Sequence, residues 1–367
     1  MVVVGTRPEA IKMAPIIRQF QANPDRCELQ VLNTAQHRNL VDQALAIFGL
    51  QPDIDLNLME ENQTLSRLFF KGAAAFEEVL ISGKPDVLLV EGDTSTVFFT
   101  SLMAFYHKVD IAHIEAGLRT SDIYNPFPEE VNRRITSVIT HLHFAPTQWA
   151  KENLLREGFP EDRIYITGNP VIDAFLETLR IEPENPHPVL SSLDSNRFKV
   201  VLVTAHRREN HGPPLQNICR ALARLHDENE ELFFVYPVHP SPEVKNTVER
   251  MLTNKERIRL VSPLDYVSFV HLMEKAYLIL TDSGGIQEEA PSIGKPTLIL
   301  RKTTERPEAL HAGTAKLVGT ETEDIVNEVT RLLSENGEYE QMTARQNPFG
   351  DGNAAKRIVD IVLERYG

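Results

Sequence analysis

The chain has 367 residues, 42% of them hydrophobic and 25% charged, with a formal net charge of -14. Single hydrophobic cores stop growing near roughly 250–300 residues, so two domains are expected. The acidic balance excludes a non-specific nucleic-acid binder, which needs a basic footprint, and no apolar run reaches membrane-spanning length. The two cysteines, Cys27 and Cys219, lie far apart without metal-ligand spacing, so neither a disulfide framework nor a zinc site is expected. No basic leader with an apolar segment opens the sequence, so no signal peptide is expected, and the two distant cysteines fit a reducing cytoplasm. On so acidic a chain, cations that meet a phosphate must be gathered locally, in loops that follow strands.

Residues 2–4 read as a strand running into Gly5-Thr6-Arg7-Pro8, with Pro8 suited to a first helical position where a missing N–H costs nothing. Arg7 at the mouth of this turn and Lys12 one turn later are candidates to meet an anion there. Pro15 falls inside the helical pattern, so a kink or register break is expected. A second strand at 29–32 leads through the polar cluster Gln36-His37-Arg38 into a helix that ends near Phe48. Residues 64–82 read as a helix with Leu65, Leu68, Phe69 and Ala73 facing inward.

Residues 87–90 are wholly apolar, as a central parallel strand should be. The Glu91-Gly92-Asp93 turn then presents Asp93 at the carboxyl edge of the sheet, where open α/β sheets bind ligands. A helix N-cap is the competing role for Asp93. A strand at 111–114 delivers Glu115 to the same edge. Pro128 suits a helix start, with Glu129 and Glu130 in its first turn. Asp93, Glu115 and Glu129 are thus three carboxylates on three loops, and such crowding raises the proton affinity of at least one. Strands at 142–145 and 164–166 complete the sheet. A helix from Pro170 to about Leu179 and a proline-rich linker through Asn196 follow.

The second half restarts in the same style. A strand at 200–204 runs into the basic turn Ala205-His206-Arg207-Arg208, and further strands are read at 232–236, 258–261, 278–281 and 296–300. Phe269 can stack on a base, although an aromatic at helical spacing usually belongs to a core. The run before Asp282-Ser283-Gly284-Gly285 is a strand, and the glycines open a helix whose bare N–H groups and positive dipole end suit a diphosphate. Glu289, one turn on, is placed for ribose hydroxyls, and Arg306 adds a cation. Helices from Thr322 and Asn353 end the chain. The expected fold class is α/β: two Rossmann-like, doubly wound parallel-sheet domains facing across a ligand cleft. Their bounds are 1–169 and 199–352, with helix and linker at 170–198. There is no Walker A motif and no Gly-x-Gly-x-x-Gly, so a nicotinamide dinucleotide is not indicated.

The segments Gly5-Thr6-Arg7-Pro8-Glu9-Ala10-Ile11-Lys12, Gly92-Asp93-Thr94, His113-Ile114-Glu115-Ala116-Gly117-Leu118-Arg119, Pro128-Glu129-Glu130, His206-Arg207-Arg208-Glu209 and Asp282-Ser283-Gly284-Gly285-Ile286-Gln287-Glu288-Glu289 resemble the non-hydrolysing UDP-N-acetylglucosamine 2-epimerases, in order and over nearly the whole chain. The resemblance implies the glycosyltransferase B fold, a homodimer, and a C-terminal helix at 353–367 packed back on the first domain. It implies interconversion of UDP-GlcNAc and UDP-ManNAc by elimination of UDP to a 2-acetamidoglucal and re-addition, with no metal and no redox cofactor. Product would feed cell-surface polysaccharide synthesis.

By the same resemblance, Asp93, Glu115 and Glu129 are the acid/base set, and which acts on which face of C2 stays open. Arg7, Lys12, His206 and Arg306 hold the leaving UDP, and Ser283, Gly284 and Gly285 bind its phosphates through backbone N–H groups. Glu289 takes the ribose, and Leu264 and Phe269 flank uracil, with Leu264 where relatives often carry Gln. Allosteric activation by UDP-GlcNAc is implied through Gln36, His37, Arg38, Glu130, Arg207 and His239. A UDP-diacetamido-uronic acid 2-epimerase and a UDP-sugar glycosyltransferase of the same fold are the alternatives.

Overall fold

The computed structural model describes residues 1–34, 38–60, 63–120, 122–194, 196–334 and 337–367, the side chains of residues 38 and 39 excepted. They form two compact units, Met1–Ala174 with Phe349–Gly367, and Phe175–Pro348. Among the described residues no helix is long and apolar enough to cross a membrane.

In the first unit, β1 (Val2–Val4), β2 (Val31–Asn33), β3 (Ile54–Asp55), β4 (Val87–Glu91), β5 (Asp110–Ile114), β6 (Leu142–Ala145) and β7 (Ile164–Ile166) make one parallel sheet. Its order is β3-β2-β1-β4-β5-β6-β7. The chain changes direction across the sheet between β1 and β4, so the loops after these strands are neighbours, at the switch point where such sheets bind ligands. Val2 pairs with Val31 on one side and Leu89 on the other. Stiff β-branched side chains suit this pleated, doubly covered position. One face packs Leu68, Phe76, Leu80 and Phe99 against Val3, Leu88 and Val90.

The helix Arg7–Gln21 opens with a Thr6/Glu9 capping box and a proline in its first turn. It runs unbroken through Pro15, against the expected break. Burial of Ile11, Met13, Ala14, Ile16, Ile17 and Phe20 outweighs the roughly 3 kcal/mol that an interior proline costs. Leu65 is 46% exposed rather than inward-facing, because it opens its helix directly after the N-cap Thr64, ahead of the core residues Leu68, Ala73, Phe76 and Leu80.

The last helix, Ala354–Tyr366, is fastened into the first unit. Asp173 accepts from the N–H groups of Ala354 and Ala355 at 3.2 and 2.9 Å, which caps two of the four orphan donors of a helix start. Arg26 donates to the Leu363 carbonyl at 3.0 Å, and the Tyr366 hydroxyl to Asp110 at 2.6 Å.

The second unit repeats the plan. Strands β8 (Lys199–Thr204), β9 (Leu232–Pro237), β10 (Ile258–Val261), β11 (Leu278–Thr281), β12 (Thr297–Ile299) and β13 (Ala315–Leu317) stand in the order β10-β9-β8-β11-β12-β13. This is the first unit's order with one strand fewer. Together the units are two Rossmann-like domains of the glycosyltransferase B type. The strands β3 and β13 had no sequence signal, since two or three residues carry no periodicity and pairing to β2 and β12 makes them strands. The proline-rich stretch is not an open linker throughout. It carries the helix Pro188–Ser192, whose Val189 and Leu190 are buried with Phe175 and Val200.

Candidate functional site

The turn after β1 is closed from within. The N–H groups of Gly5 and Thr6 donate to Glu9 Oε2 at 2.6 and 2.8 Å, and the Thr94 hydroxyl donates to Glu9 Oε1. The amides of this turn therefore hold the chain's own carboxylate. Burial raises the Glu9 pKa to about 7, against the opposing hydrogen bonds from Thr94, Gly5 and Thr6. A Cβ on Gly5 would collide with the hydroxyls of Thr96 and Thr34, so only glycine permits this approach. Arg7 is exposed at the turn.

Lys12 points elsewhere. Its ammonium lies 2.8 Å from Glu91 Oε1 and 2.7 Å from Glu115 Oε1, and Asn169 Nδ2 donates to the same Glu115 oxygen at 2.9 Å. Glu115 is 8% exposed and has φ of 63°, a left-handed conformation that costs a non-glycine residue roughly 1–2 kcal/mol. Such strain concentrates at functional positions.

Asp93 does not cap the following helix. The N-cap is Thr94, whose hydroxyl oxygen accepts from the Val97 N–H at 3.3 Å. This leaves the Asp93 carboxylate to receive Arg133 Nη2 at 2.6 Å, while its carbonyl accepts from Asn132 Nδ2 at 2.9 Å. The preceding Gly92 has φ of 80°, and its carbonyl lies 2.7 Å from His113 Nε2. Burial lowers the His113 pKa to about 4, so the ring is neutral and donates Nε2–H.

Glu129 opens the helix Glu129–Ile139. Its Oε2 is buried without a hydrogen-bond partner among the described residues. Glu130 is fully buried and plays a fastening part, accepting from Arg134 Nε at 2.7 Å and from the Thr120 N–H at 3.1 Å. Its oxygens thus tie the loop after β5 to this helix.

In the second unit the turn after β8 is closed in the same way. Asp282 Oδ2 accepts from the N–H groups of His206 and Arg207, both at 2.8 Å, and from Asn210 Nδ2 at 2.9 Å. The His206 ring stacks on His239 with centroids 5.3 Å apart, and its Nδ1 lies 3.7 Å from Asp282 Oδ1. Burial lowers the His206 pKa, against the pull of the Asp282 charge. Arg207 and His239 are exposed.

After β11, Ser283 is the N-cap of the helix Gly284–Glu289, and its N–H donates to Thr281 Oγ1 at 2.9 Å. That amide is engaged locally, so the first-turn N–H groups of Gly284 and Gly285 are the better anion donors. The Arg306 guanidinium lies over the turn, where a Cβ on Gly284 would meet its carbon at 3.4 Å, an ordinary contact. Arg306 Nε donates to the buried Glu288 at 2.7 Å. Glu289 is 8% exposed, within 3.5 Å of the Tyr266 hydroxyl. Leu264 and Phe269 are half-buried and pack against the unit's core. Gln36, His37 and the side chain of Arg38 lie outside the described residues.

The structure thus gathers Lys12, Glu115 and Asn169 in one cluster of the first unit, and joins Asp93 to Arg133. It gathers His206, Asp282 and His239 in the second unit, and Gly284 with Arg306. Sequence reasoning passed over Glu9, Glu91, His113 and Arg133. Glu91 did carry a signal, a lone carboxylate ending a wholly apolar strand.

Comparison with known proteins agrees over the whole chain. The family model described as UDP-N-acetylglucosamine 2-epimerase matches residues 18–363. The UDP-N-acetylglucosamine 2-epimerase of Salmonella typhimurium is 48% identical, covering 99% of this chain and 97% of the relative. That of Bacillus subtilis is 47% identical, covering 100% and 95%. The crystal structure of the Neisseria meningitidis UDP-GlcNAc 2-epimerase bound to UDP-GlcNAc superposes with a TM-score of 0.89 at 46% identity, covering 99% of both chains. The Methanocaldococcus jannaschii UDP-GlcNAc 2-epimerase, in complex with UDP-GlcNAc and UDP, has a TM-score of 0.80 at 35% identity, again over 99% of both. With a family model spanning most of its length and relatives near half identity from end to end, this chain belongs to the UDP-N-acetylglucosamine 2-epimerase family.

Proposed function

We propose that this enzyme interconverts UDP-GlcNAc and UDP-ManNAc by inverting C2 of the sugar. The C2 proton is not acidic, since no ring carbonyl adjoins it. The reading therefore uses elimination: a base takes the C2 proton, the C1–oxygen bond breaks, and UDP departs to leave a 2-acetamidoglucal. UDP then adds back at C1 while an acid delivers a proton to the other face of C2. The steps conserve protons and electrons, so they call for no oxidant. They need an acid, a base and firm stabilisation of the leaving diphosphate.

The observation that carries this reading is the unequal pairing of three carboxyl groups on neighbouring loops of the first unit. Glu115 meets Lys12 and Asp93 meets Arg133, whereas the buried Oε2 of Glu129 has no hydrogen-bond partner among the described residues. A paired cation favours the ionised carboxylate, and an oxygen without a protein partner is left to meet the substrate. Glu115 and Asp93 are accordingly assigned to the basic side and Glu129 to the acidic side.

On the second unit, Arg306 with the N–H groups of Gly284 and Gly285 takes the diphosphate, and Glu289 the ribose. His206 steadies the leaving group, with Ser283 beside it, and Leu264 and Phe269 flank the uracil. Arg7 contributes a further cation, and Lys12 acts mainly on Glu115. Proton NMR of UDP-GlcNAc with the enzyme in D2O tests the reading. Deuterium at C2 together with UDP-ManNAc signals supports it, and an unchanged spectrum or release of free sugar defeats it.

Activation by UDP-GlcNAc is part of the proposal, with Arg207, His239 and the 36–38 segment as its elements and Glu130 bracing the neighbouring loop. The exposed His239 stacked on His206 links such a second position to the site. The Methanocaldococcus jannaschii relative was determined in complex with UDP-GlcNAc and UDP, the two ligands this reading calls for. A homodimer in the cytoplasm, feeding cell-surface polysaccharide synthesis, completes the proposal. Phe70 and Val138, each 72% exposed, and Tyr106, 65% exposed, favour self-association through adjoining helices.

A further inference from the structure

Asp282 stands directly before the Ser283-Gly284-Gly285 turn and is fully buried. Its two carboxylate oxygens are used unequally. Oδ2 accepts from the N–H groups of His206 and Arg207, both at 2.8 Å, and from Asn210 Nδ2 at 2.9 Å. Oδ1 is buried and has no hydrogen-bond partner among the described residues. It lies 3.7 Å from His206 Nδ1, too far for a hydrogen bond and close enough for one to form by a small turn of the ring.

Buried polar atoms are nearly always paired, and one left bare calls for an explanation. The three donors to Oδ2 belong to the turn after β8, so Oδ1 is the oxygen left for a further donor. The His206 side chain is 40% exposed, so its ring can meet a ligand while Nδ1 faces the buried acid. The other titratable groups around the ring are His239, stacked on it with centroids 5.3 Å apart, Arg207, and His211, whose Nε2 lies 3.3 Å from the His206 carbonyl oxygen. None of these three is an acid. Glu209, on the same turn, is engaged by Arg301 at 2.5 Å. A proton on the His206 ring is therefore balanced by Asp282.

We propose that Asp282 is the positioning residue for His206, its Oδ1 taking the Nδ1–H so that Nε2–H meets the departing diphosphate. The inference deepens the epimerase reading and rests on it. A partner at one imidazole nitrogen decides what the other can do. With Nδ1–H held by an acceptor, donation from Nε2 needs a protonated ring, and a carboxylate beside the ring favours that form. As the C1–oxygen bond breaks, its electron pair goes to the diphosphate, and the imidazolium meets the charge that develops there. Asp282 also leads into the turn whose Gly284 and Gly285 amides take the same diphosphate, so one side chain sets the ring against that turn.

The test uses Asp282→Asn, whose carbonyl oxygen still accepts the three donors of the turn and whose NH2 then stands where Oδ1 was. Ring-nitrogen NMR of histidine-labelled, full-length protein in complex with UDP at pH 8 is recorded for the wild type and the variant, with the signal assigned through His206→Gln. C2 deuterium incorporation from D2O, and kcat and KM from pH 5 to 10, are measured beside it. Wild-type His206 is expected to carry a proton on Nδ1, and the variant to leave Nδ1 bare, as the acceptor of the amide. The variant is expected to lose about 100-fold in kcat with KM within about fivefold. Its alkaline limb should move down by about one pH unit, because the ring has lost the charge that holds its proton. A wild-type Nδ1 without a proton overturns the inference, whether or not the variant folds. So does a proton that stays on Nδ1 in the variant, and so does a loss of kcat with an unmoved limb, which marks a merely structural residue. A wild type that places no deuterium at C2 removes the epimerase reading and this role with it. Deuterium at C2 beside any of the three contrary results removes this inference alone.

Discussion

His113 holds the carbonyl of Gly92 at 2.7 Å, and through it the turn that aims Asp93. The ring is buried and neutral, with its pKa lowered to about 4 from an unfolded value near 6.5. Below pH 6.5 the unfolded chain therefore takes up a proton that the folded chain refuses until about pH 4. The contribution is complete above pH 6.5 and falls away toward pH 4. The stability advantage of the wild type over His113→Asn should accordingly shrink by about 3 kcal/mol across that window. Urea unfolding of both proteins at several pH values measures it, and a constant difference counts against a neutral buried imidazole.

Lys12 meets two carboxyls at once, at 2.8 and 2.7 Å, so removing it takes the ammonium from both. Lys12→Met should cost about 3–5 kcal/mol of stability at pH 7 and recover part of this as the pH is lowered and a carboxyl takes up a proton. Its kcat should fall at least about 100-fold, since Glu115 loses its cation. Denaturant midpoints at pH 7 and pH 5 check the first statement, and steady-state rates the second.

The proposed acid/base set should separate chemistry from binding. Asp93→Asn, Glu115→Gln and Glu129→Gln should each lower kcat by about 10²–10⁴-fold, while UDP affinity stays within about threefold. Isothermal titration with UDP, beside rate measurements, decides it. A variant that loses UDP binding in step with kcat would belong to the nucleotide site.

The Glu9 carboxylate closes the first turn by accepting two backbone donors. Glu9→Ala leaves the Gly5 and Thr6 N–H groups without that acceptor and should cost about 2–3 kcal/mol. Glu9→Gln, whose carbonyl oxygen still accepts, should cost less than half as much. Thermal unfolding of the pair settles the comparison.

Arg306 lies across the helix start, where a methyl on Gly284 would touch its guanidinium at 3.4 Å and narrow the space left for a phosphate. Gly284→Ala and Arg306→Ala should each weaken UDP binding by about tenfold, and the double variant should lose less than the product of the two. On the first unit, Phe70→Glu with Val138→Glu should turn a dimer into a monomer in sedimentation experiments. An unchanged mass would place the interface elsewhere.

The repeated alternation of apolar strand and amphipathic helix, with Pro, Thr and Gly at the turns, was enough to determine two parallel α/β sheets and the edges that carry Asp93, Glu115, Glu129, His206 and Gly284. Those signals are local, and the residues that raise them also make the element. The partners at the site are not local. Lys12 lies 79 residues from Glu91 and 103 from Glu115, and Asp282 lies 76 from His206. No periodicity links such positions. Only the tertiary structure decided that the first turn's amides would be taken by Glu9, that Lys12 would serve two acids, and that Glu130 would be buried. The physical reason is that a buried charge must find a partner wherever the packing places one, and strand order decides which loops come within reach.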